Sequence, residues 1–196
     1  MRRVFSLLII AVLCNITSNI QAEESSKRVL VIGIDGSRFD AMTKAKTPHL
    51  DQLIQQGIHS PTAQILGDRY RENNTISGPG WSSILTGVWA DKHNVMGNSF
   101  KEPNLKEYPH FFHYVKQNDA KAKTFSTVDW DPIAKYIVSS ADVSLSTKTK
   151  DISYEQADDK SAVAAAEYLL KENPTAMMVY LGAVDETGHA KGFHPS

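Results

Sequence analysis

The chain has 196 residues, 41% of them hydrophobic and 22% charged, with a formal net charge of −1. That length accommodates one ordinary domain with its own core, and the near-neutral balance offers no surface of the kind that binds nucleic acid or another polyanion. One cysteine, Cys14, rules out a disulfide framework within the chain.

Met1-Arg2-Arg3 leads into an apolar run from Val4 to Cys14, and a polar stretch then closes on Ile20-Gln21-Ala22 before Glu23-Glu24. A basic start, a short apolar core and a small residue before an acidic segment predict a secretory signal peptide over residues 1–22. Cleavage after Ala22 would send the product to the periplasm or outside the cell. Leu13 stands where a lipoprotein signal wants a small residue. The expected mature domain, residues 23–196, loses Arg2 and Arg3, which leaves 19 basic against 22 acidic residues. No later apolar run is long enough to span a bilayer.

Arg28 to Ile34 is a continuous β-branched apolar run and predicts a strand buried on both faces of a parallel sheet. Asp35-Gly36 follows at its carboxyl edge, where an open α/β sheet places its ligands; an Asp-Gly turn is the plainer alternative. Thr47-Pro48 opens a helix that Gly57 ends, and Leu50, Leu53 and Ile54 form its packing stripe. Ala63 to Leu66 is a candidate short strand, and Asn73-Asn74-Thr75 fits a glycosylation acceptor.

Ser77 precedes Gly78-Pro79-Gly80 and a short helix through Thr86, stopped by Gly87. A hydroxyl at a helix mouth meets unpaired N–H groups and about half a positive charge, a setting for an anionic ligand or a developing alkoxide. Ser77 is therefore a candidate nucleophile, with an N-cap or turn role as the alternative. Pro109 to Gln117 predicts a helix with Phe112 and Val115 inward, and Lys123 to Val128 a second core strand. Asp129 and Asp131 at its exit fit turn and cap chemistry. Ser139 to Asp151 has the composition of a surface excursion, Tyr154 to Lys171 predicts an amphipathic helix, and Ala176 to Leu181 a third buried strand. A loop bearing Asp185 and His189 is expected next, and the pair suits either an ion pair or two ligands of one Zn²⁺. Strands alternating with helices predict a doubly wound α/β fold with a mostly parallel sheet.

Taken together these motifs resemble the alkaline phosphatase superfamily, most closely its type I phosphodiesterase/nucleotide pyrophosphatase branch. The resemblance is carried by Ile34 to Asp40, Thr47-Pro48-His49-Leu50-Asp51-Gln52-Leu53, Ser77-x-Pro79 with Leu85-Thr86-Gly87, His93, Asn98, and Asp185-x-x-Gly188-His189-x-x-Gly192. It implies an alkaline-phosphatase-like fold and a metal-dependent hydrolase of a small phosphodiester or nucleotide pyrophosphate. Ser77 is then the implied nucleophile, Asp35 and Ser77 ligands of one divalent ion, Asp185 and His189 ligands of the other, with zinc or manganese expected.

Departures from the family pattern matter as well. Relatives carry an Asn three residues past the nucleophile, where this chain has Gly80, so a phosphate contact there is expected from the backbone. A sulfatase would need Arg at plus four, where Trp81 stands, and paired acids where Asp35 is single; a sulfatase or a phosphomonoesterase is the alternative within the superfamily. Relatives also supply an Asp-His pair and a further His beyond the Asp185 motif. None of the other six histidines matches those positions, although His194 could substitute for one. The sequence is therefore expected to be the N-terminal portion of a longer hydrolase, and a catalytically silent remnant is the rival outcome.

Overall fold

A computed structural model describes residues 27–63 and 75–193. The expected signal peptide, most of the candidate strand at Ala63 to Leu66, the acceptor Asn73-Asn74 and His194 lie outside the described residues. Four strands, β1 (Val29–Ile34), β2 (Thr124–Val128), β3 (Val143–Ser146) and β4 (Ala176–Leu181), form one sheet in the order β1-β4-β2-β3. All three pairings are parallel, so every strand delivers its carboxyl end to the same edge. The helices α1 (Phe39–Met42), α2 (Pro48–Gln56), α3 (Ser77–Thr86), α4 (Ala90–His93), α5 (Phe111–Asn118), α6 (Tyr154–Glu172) and α7 (Ala183–Lys191) occupy the connections.

β2 and β4 are central, and their residues are nearly all buried because helices cover both faces. On one face Phe125, Met177 and Val179 pack against Ala165 and Tyr168 of α6. On the other, Val128, Met178 and Tyr180 join Trp81 and Leu85 of α3, Phe112 of α5 and Ile133 and Ile137 in the main core. A capping box fixes the start of α6: the Ser153 hydroxyl accepts the Gln156 N–H at 3.2 Å, and the Gln156 side chain accepts the Ser153 N–H at 3.0 Å.

Three expectations need correcting. β1 is not buried on both faces. The register sets Leu30 beside Met177 and Ile32 beside Val179, on the face that α6 covers, but among the described strands α6 lies chiefly against β2 and β4. Leu30 and Ile32 are accordingly 45% and 54% exposed. α2 forms where Thr47-Pro48 and Gly57 place it, but its stripe is not buried in the described part of the molecule: Leu50 and Ile54 are half-buried and Leu53 is 63% exposed. The Ser139–Asp151 stretch contains β3, a four-residue strand added beside β2. A π-helical turn at Ile133–Ile137, in which the Val138 N–H donates to the Ile133 carbonyl at 2.9 Å, lies between β2 and β3.

Candidate active site

The carboxyl edge of the sheet opens into a pocket of about 470 Å³ lined by Asp35, Ser77, Asn98, Tyr180, Asp185 and His189, among others. Residues separated by as much as 154 positions in sequence thus meet at one place, because β1 and β4 are parallel neighbours and α3 starts against them. Asp35 leaves β1 directly and accepts the Gly36 N–H at 3.0 Å. Gly36 adopts φ of 68°, and a Cβ there would stand 2.5 Å from the Asp185 Cα. Only glycine permits both the turn and the approach of β1 to α7.

Ser77 is the first residue of α3, and its hydroxyl does not cap the helix. The residue before it, Ile76, is the N-cap, and the Ser77 Oγ–H donates to Asp35 Oδ2 at 2.8 Å. The same oxygen accepts the Tyr180 O–H at 2.6 Å and the Trp81 Nε1–H at 3.1 Å. Trp81 and Tyr180 are themselves packed edge to face, with ring centroids 5.1 Å apart, so the two donors brace one another. Burial, with the neighbouring Asp35 adding to it, pushes the Tyr180 hydroxyl pKa up, which keeps it a donor. The sequence pattern marked neither Trp81 nor Tyr180 as part of the site; each reads as an apolar core residue.

Gly80 does not supply the expected donor. Its N–H is taken by the Ile76 carbonyl at 3.0 Å inside the first turn of α3, and Pro79 has none to offer. The Gly78 N–H donates to Asn98 Oδ1 at 2.7 Å. That contact holds the oxygen of the Asn98 amide toward Gly78, and Asn98 lines the pocket. Gly80 lines instead an adjoining apolar cleft of about 400 Å³, with Trp81, Ile84 and Trp89.

Asp185 and His189 lie in α7 and not in a loop, so their spacing is the i, i+4 spacing of a helix face. His189 Nε2 stands 3.4 Å from Asp185 Oδ2, with side-chain exposures of 69% and 22%. Burial, and then the charge of Asp35, raise the pKa of the Asp185 carboxyl. His93 is not in the pocket. It is fully buried, its Nδ1 accepts the Val95 N–H at 3.0 Å, and Nε2 therefore carries the proton toward Ser83 Oγ at 3.0 Å.

The donor chemistry fits divalent cations as two half-sites. Two vertices of a tetrahedron with ~2 Å bonds lie roughly 3.3 Å apart, close to the Asp185–His189 separation. Asp35 and Ser77 form a second pair of oxygens, 2.8 Å apart. Among the described residues, no three of His, Cys, Asp and Glu are grouped so as to hold a metal ion. Each half-site thus offers two protein donors, fewer than the three or four of an ordinary catalytic zinc site.

Comparison with known proteins agrees with this architecture. The family model for type I phosphodiesterase/nucleotide pyrophosphatase matches residues 29–196. The chain is 25% identical over 100 residues to human ectonucleotide pyrophosphatase/phosphodiesterase family member 5, covering 50% of this chain and 19% of that protein. It is 27% identical over 101 residues to the bis(5'-adenosyl)-triphosphatase enpp4 of Mus musculus, again 50% of this chain and 19% of the relative. Murine ectonucleotide pyrophosphatase/phosphodiesterase 5 superposes with a TM-score of 0.60 at 21% identity, over 85% of this chain and 46% of the other. A phosphonoacetate hydrolase from Sinorhizobium meliloti has the same fold, with a TM-score of 0.53 at 15% identity over 85% of this chain and 49% of the other.

Proposed function

Because the chain belongs to the type I phosphodiesterase/nucleotide pyrophosphatase family, we propose that its site hydrolyses phosphodiesters or nucleotide pyrophosphates with Ser77 as the nucleophile. The observation that carries this is the Ser77 hydroxyl donating to Asp35 at 2.8 Å in a pocket that also holds Asp185 and His189. The family relationship supports phosphate-ester chemistry, and the donor pairs support metal assistance.

Asp35 and Ser77 would hold one divalent ion and Asp185 and His189 the other, zinc or manganese, which would acidify the serine hydroxyl and offset charge on the phosphate oxygens. Ser77 Oγ attacks phosphorus as its proton passes toward Asp35 Oδ2. The bond from phosphorus to one ester or pyrophosphate oxygen breaks; an alcohol leaves with the proton that Asp35 took, or a phosphate group leaves as its anion, while the rest of the substrate stays on Ser77 as a phosphodiester. Water then attacks that phosphorus, restores the Ser77 hydroxyl and releases a phosphate monoester. The positive end of the α3 dipole favours the anionic phosphoryl group, and Asn98, which lines the pocket, would donate its NH₂ to one of its oxygens. Trp81 and Tyr180 keep Asp35 in position through both steps. The same proposal assigns the residues before Glu23 to export and the mature domain to the periplasm or exterior; an N-terminus at Glu23 in the exported product is the check.

The test is turnover of bis-p-nitrophenyl phosphate and p-nitrophenyl phosphate by the purified protein with Zn²⁺ or Mn²⁺. Preferential cleavage of the diester, abolished by Ser77→Ala in a protein that still melts cooperatively, is the expected result. Preference for the monoester would select a phosphomonoesterase instead. Turnover that survives Ser77→Ala would remove the nucleophile from the scheme, and no turnover of either ester would make this chain a silent form of the fold.

A further inference from the structure

Beside the pocket, two carboxyl groups that take no part in the proposed chemistry converge on one backbone amide. Asp129 leaves β2 and is 1% exposed; Asp158 lies in the second turn of α6. The Gly182 N–H donates to Asp129 Oδ2 and to Asp158 Oδ1, each at 3.0 Å, and the Ala183 N–H donates to Asp158 Oδ2 at 3.4 Å. Gly182 is the N-cap of α7 and has no side chain with which to cap it. The two acids cap the helix from other elements. A Cβ at Gly182 would stand 2.9 Å from Asp129 Oδ1, so the acid can approach only because the residue is glycine.

Asp129 Oδ1 is buried, and among the described residues no donor reaches it. A bare carboxylate in this position would be costly, whereas a protonated Asp129 has Asp158, which accepts from the same Gly182 amide, as a neighbouring acceptor for its O–H. Two carboxylates on one amide cannot both stay ionised cheaply in a buried setting, and the helix N-terminus favours the charge on Asp158, which takes two of its amides. We propose that Asp129 and Asp158 share one proton as an acid–carboxylate latch on the Gly182 amide, and that this latch sets the first turns of α7, from which Asp185 and His189 enter the pocket. The functional meaning of that placement rests on the proposed function; the latch itself does not.

Burial, reinforced by Asp158, pushes the Asp129 pKa up to about 8. The other titratable groups that face the pair are Tyr154 from α6 and Tyr180 from β4, both with raised pKa values, burial being the first cause. They remain neutral through the range in which Asp129 titrates. In the unfolded chain Asp129 loses its proton near its ordinary value of 3.8, while the folded protein keeps it up to about 8. The folded state binds the extra proton in that window, so stability falls as pH rises through it and the latch is lost above it.

The experiment compares the wild type with Asp129→Asn, whose NH₂ imitates the acid O–H permanently, and with Asp129→Ala. Melting temperature, the amide resonance of Gly182 and hydrogen exchange along α7 are followed from about pH 6 to about pH 9. In the wild type the melting temperature should fall and the Gly182 resonance shift through a transition near 8. Asp129→Asn should abolish that transition while keeping wild-type protection, and Asp129→Ala should exchange the α7 amides roughly tenfold faster at the acid end. A Gly182 resonance that does not titrate, an Asn variant that behaves like the Ala variant, or α7 protection unchanged in Asp129→Ala would overturn the proposal. Melting, resonance and exchange need no turnover, so an inactive protein would count against the hydrolase alone.

Discussion

On one side of the pocket Asp35 Oδ2 gathers three donors, from Ser77, Trp81 and Tyr180, that lie 42, 46 and 145 residues away in sequence. On the other side Asp185 and His189 face each other across a single helical turn, and the imidazole is 69% exposed. The first side is arranged by tertiary packing: it exists only when β1, α3 and β4 are assembled. The second is arranged by local helix geometry, and its place in the molecule depends on how α7 is anchored at Gly182. A site built from one packed half and one local half should respond unequally to damage, with stability losses on the packed side and losses of function without unfolding on the local side.

The largest effect should come from Asp35→Ala. It strands the Tyr180 hydroxyl and the Trp81 N–H, on residues that are 3% and 8% exposed, and unpaired buried donors cost about 1–3 kcal/mol each. We expect a loss of about 2–4 kcal/mol in urea unfolding, a large share of the margin of an ordinary domain, together with loss of hydrolysis. An unfolding midpoint equal to that of the wild type would show that the three donors find other partners and that this half is not held by its contacts.

Tyr180→Phe should cost less. The ring keeps its edge-to-face packing on Trp81, and only the O–H to the carboxylate is removed, a contribution of about 1–2 kcal/mol. Asp35 then has freedom it lacked, so hydrolysis should fall roughly tenfold. Unchanged turnover with lowered stability would make Tyr180 a packing residue with no hold on the chemistry.

The contrast between the two halves also explains what the sequence could and could not disclose. Residues that bear recognisable chemistry, Asp35, Ser77, Asp185 and His189, stand at element ends that hydrophobic periodicity locates, and the structure gathers all four at one edge. The strands at Val29–Ile34 and Ala176–Leu181 are legible as apolar runs for the same reason, and Thr124–Val128 as a β-branched and aromatic stretch. Trp81 and Tyr180 are not, because an aromatic residue in a buried element looks the same whether its polar atom serves the core or a carboxylate. One signal was present: Gly33 interrupts the apolar run of β1, and the Trp81 ring lies 2.2 Å from where its Cβ would be. The edge position of β1 could not be read either, since an apolar run shows a strand suited to burial but not whether neighbours reach it. β3 escaped notice because four residues of alternating Ser and aliphatic character at a sheet edge are too few to outweigh a Ser-, Thr- and Lys-rich setting. The Asp185 segment reads as a loop because Thr187-Gly188 weakens a helical pattern. It becomes a helix through amides held by Asp129 and Asp158, which no local rule foresees.

The smallest effect on stability is expected from His189→Ala. Among the described residues the imidazole meets Asp185 at 3.4 Å and the edge of Phe193, with ring centroids 5.3 Å apart, and most of it is exposed. An exposed ion pair of this kind contributes about 0–1 kcal/mol, so the unfolding midpoint should move little. Zn²⁺ binding, measured by calorimetry with Ser77→Ala as the reference that keeps both Asp185 and His189, should nonetheless weaken at least about tenfold, because one of two donors in that half-site is gone. If His189→Ala lowers stability as far as Tyr180→Phe does, α7 is held by its side chains and the local half is packed after all. If it leaves Zn²⁺ binding untouched, the pair is a surface ion pair of the i, i+4 type, and the pocket has one half in place of two.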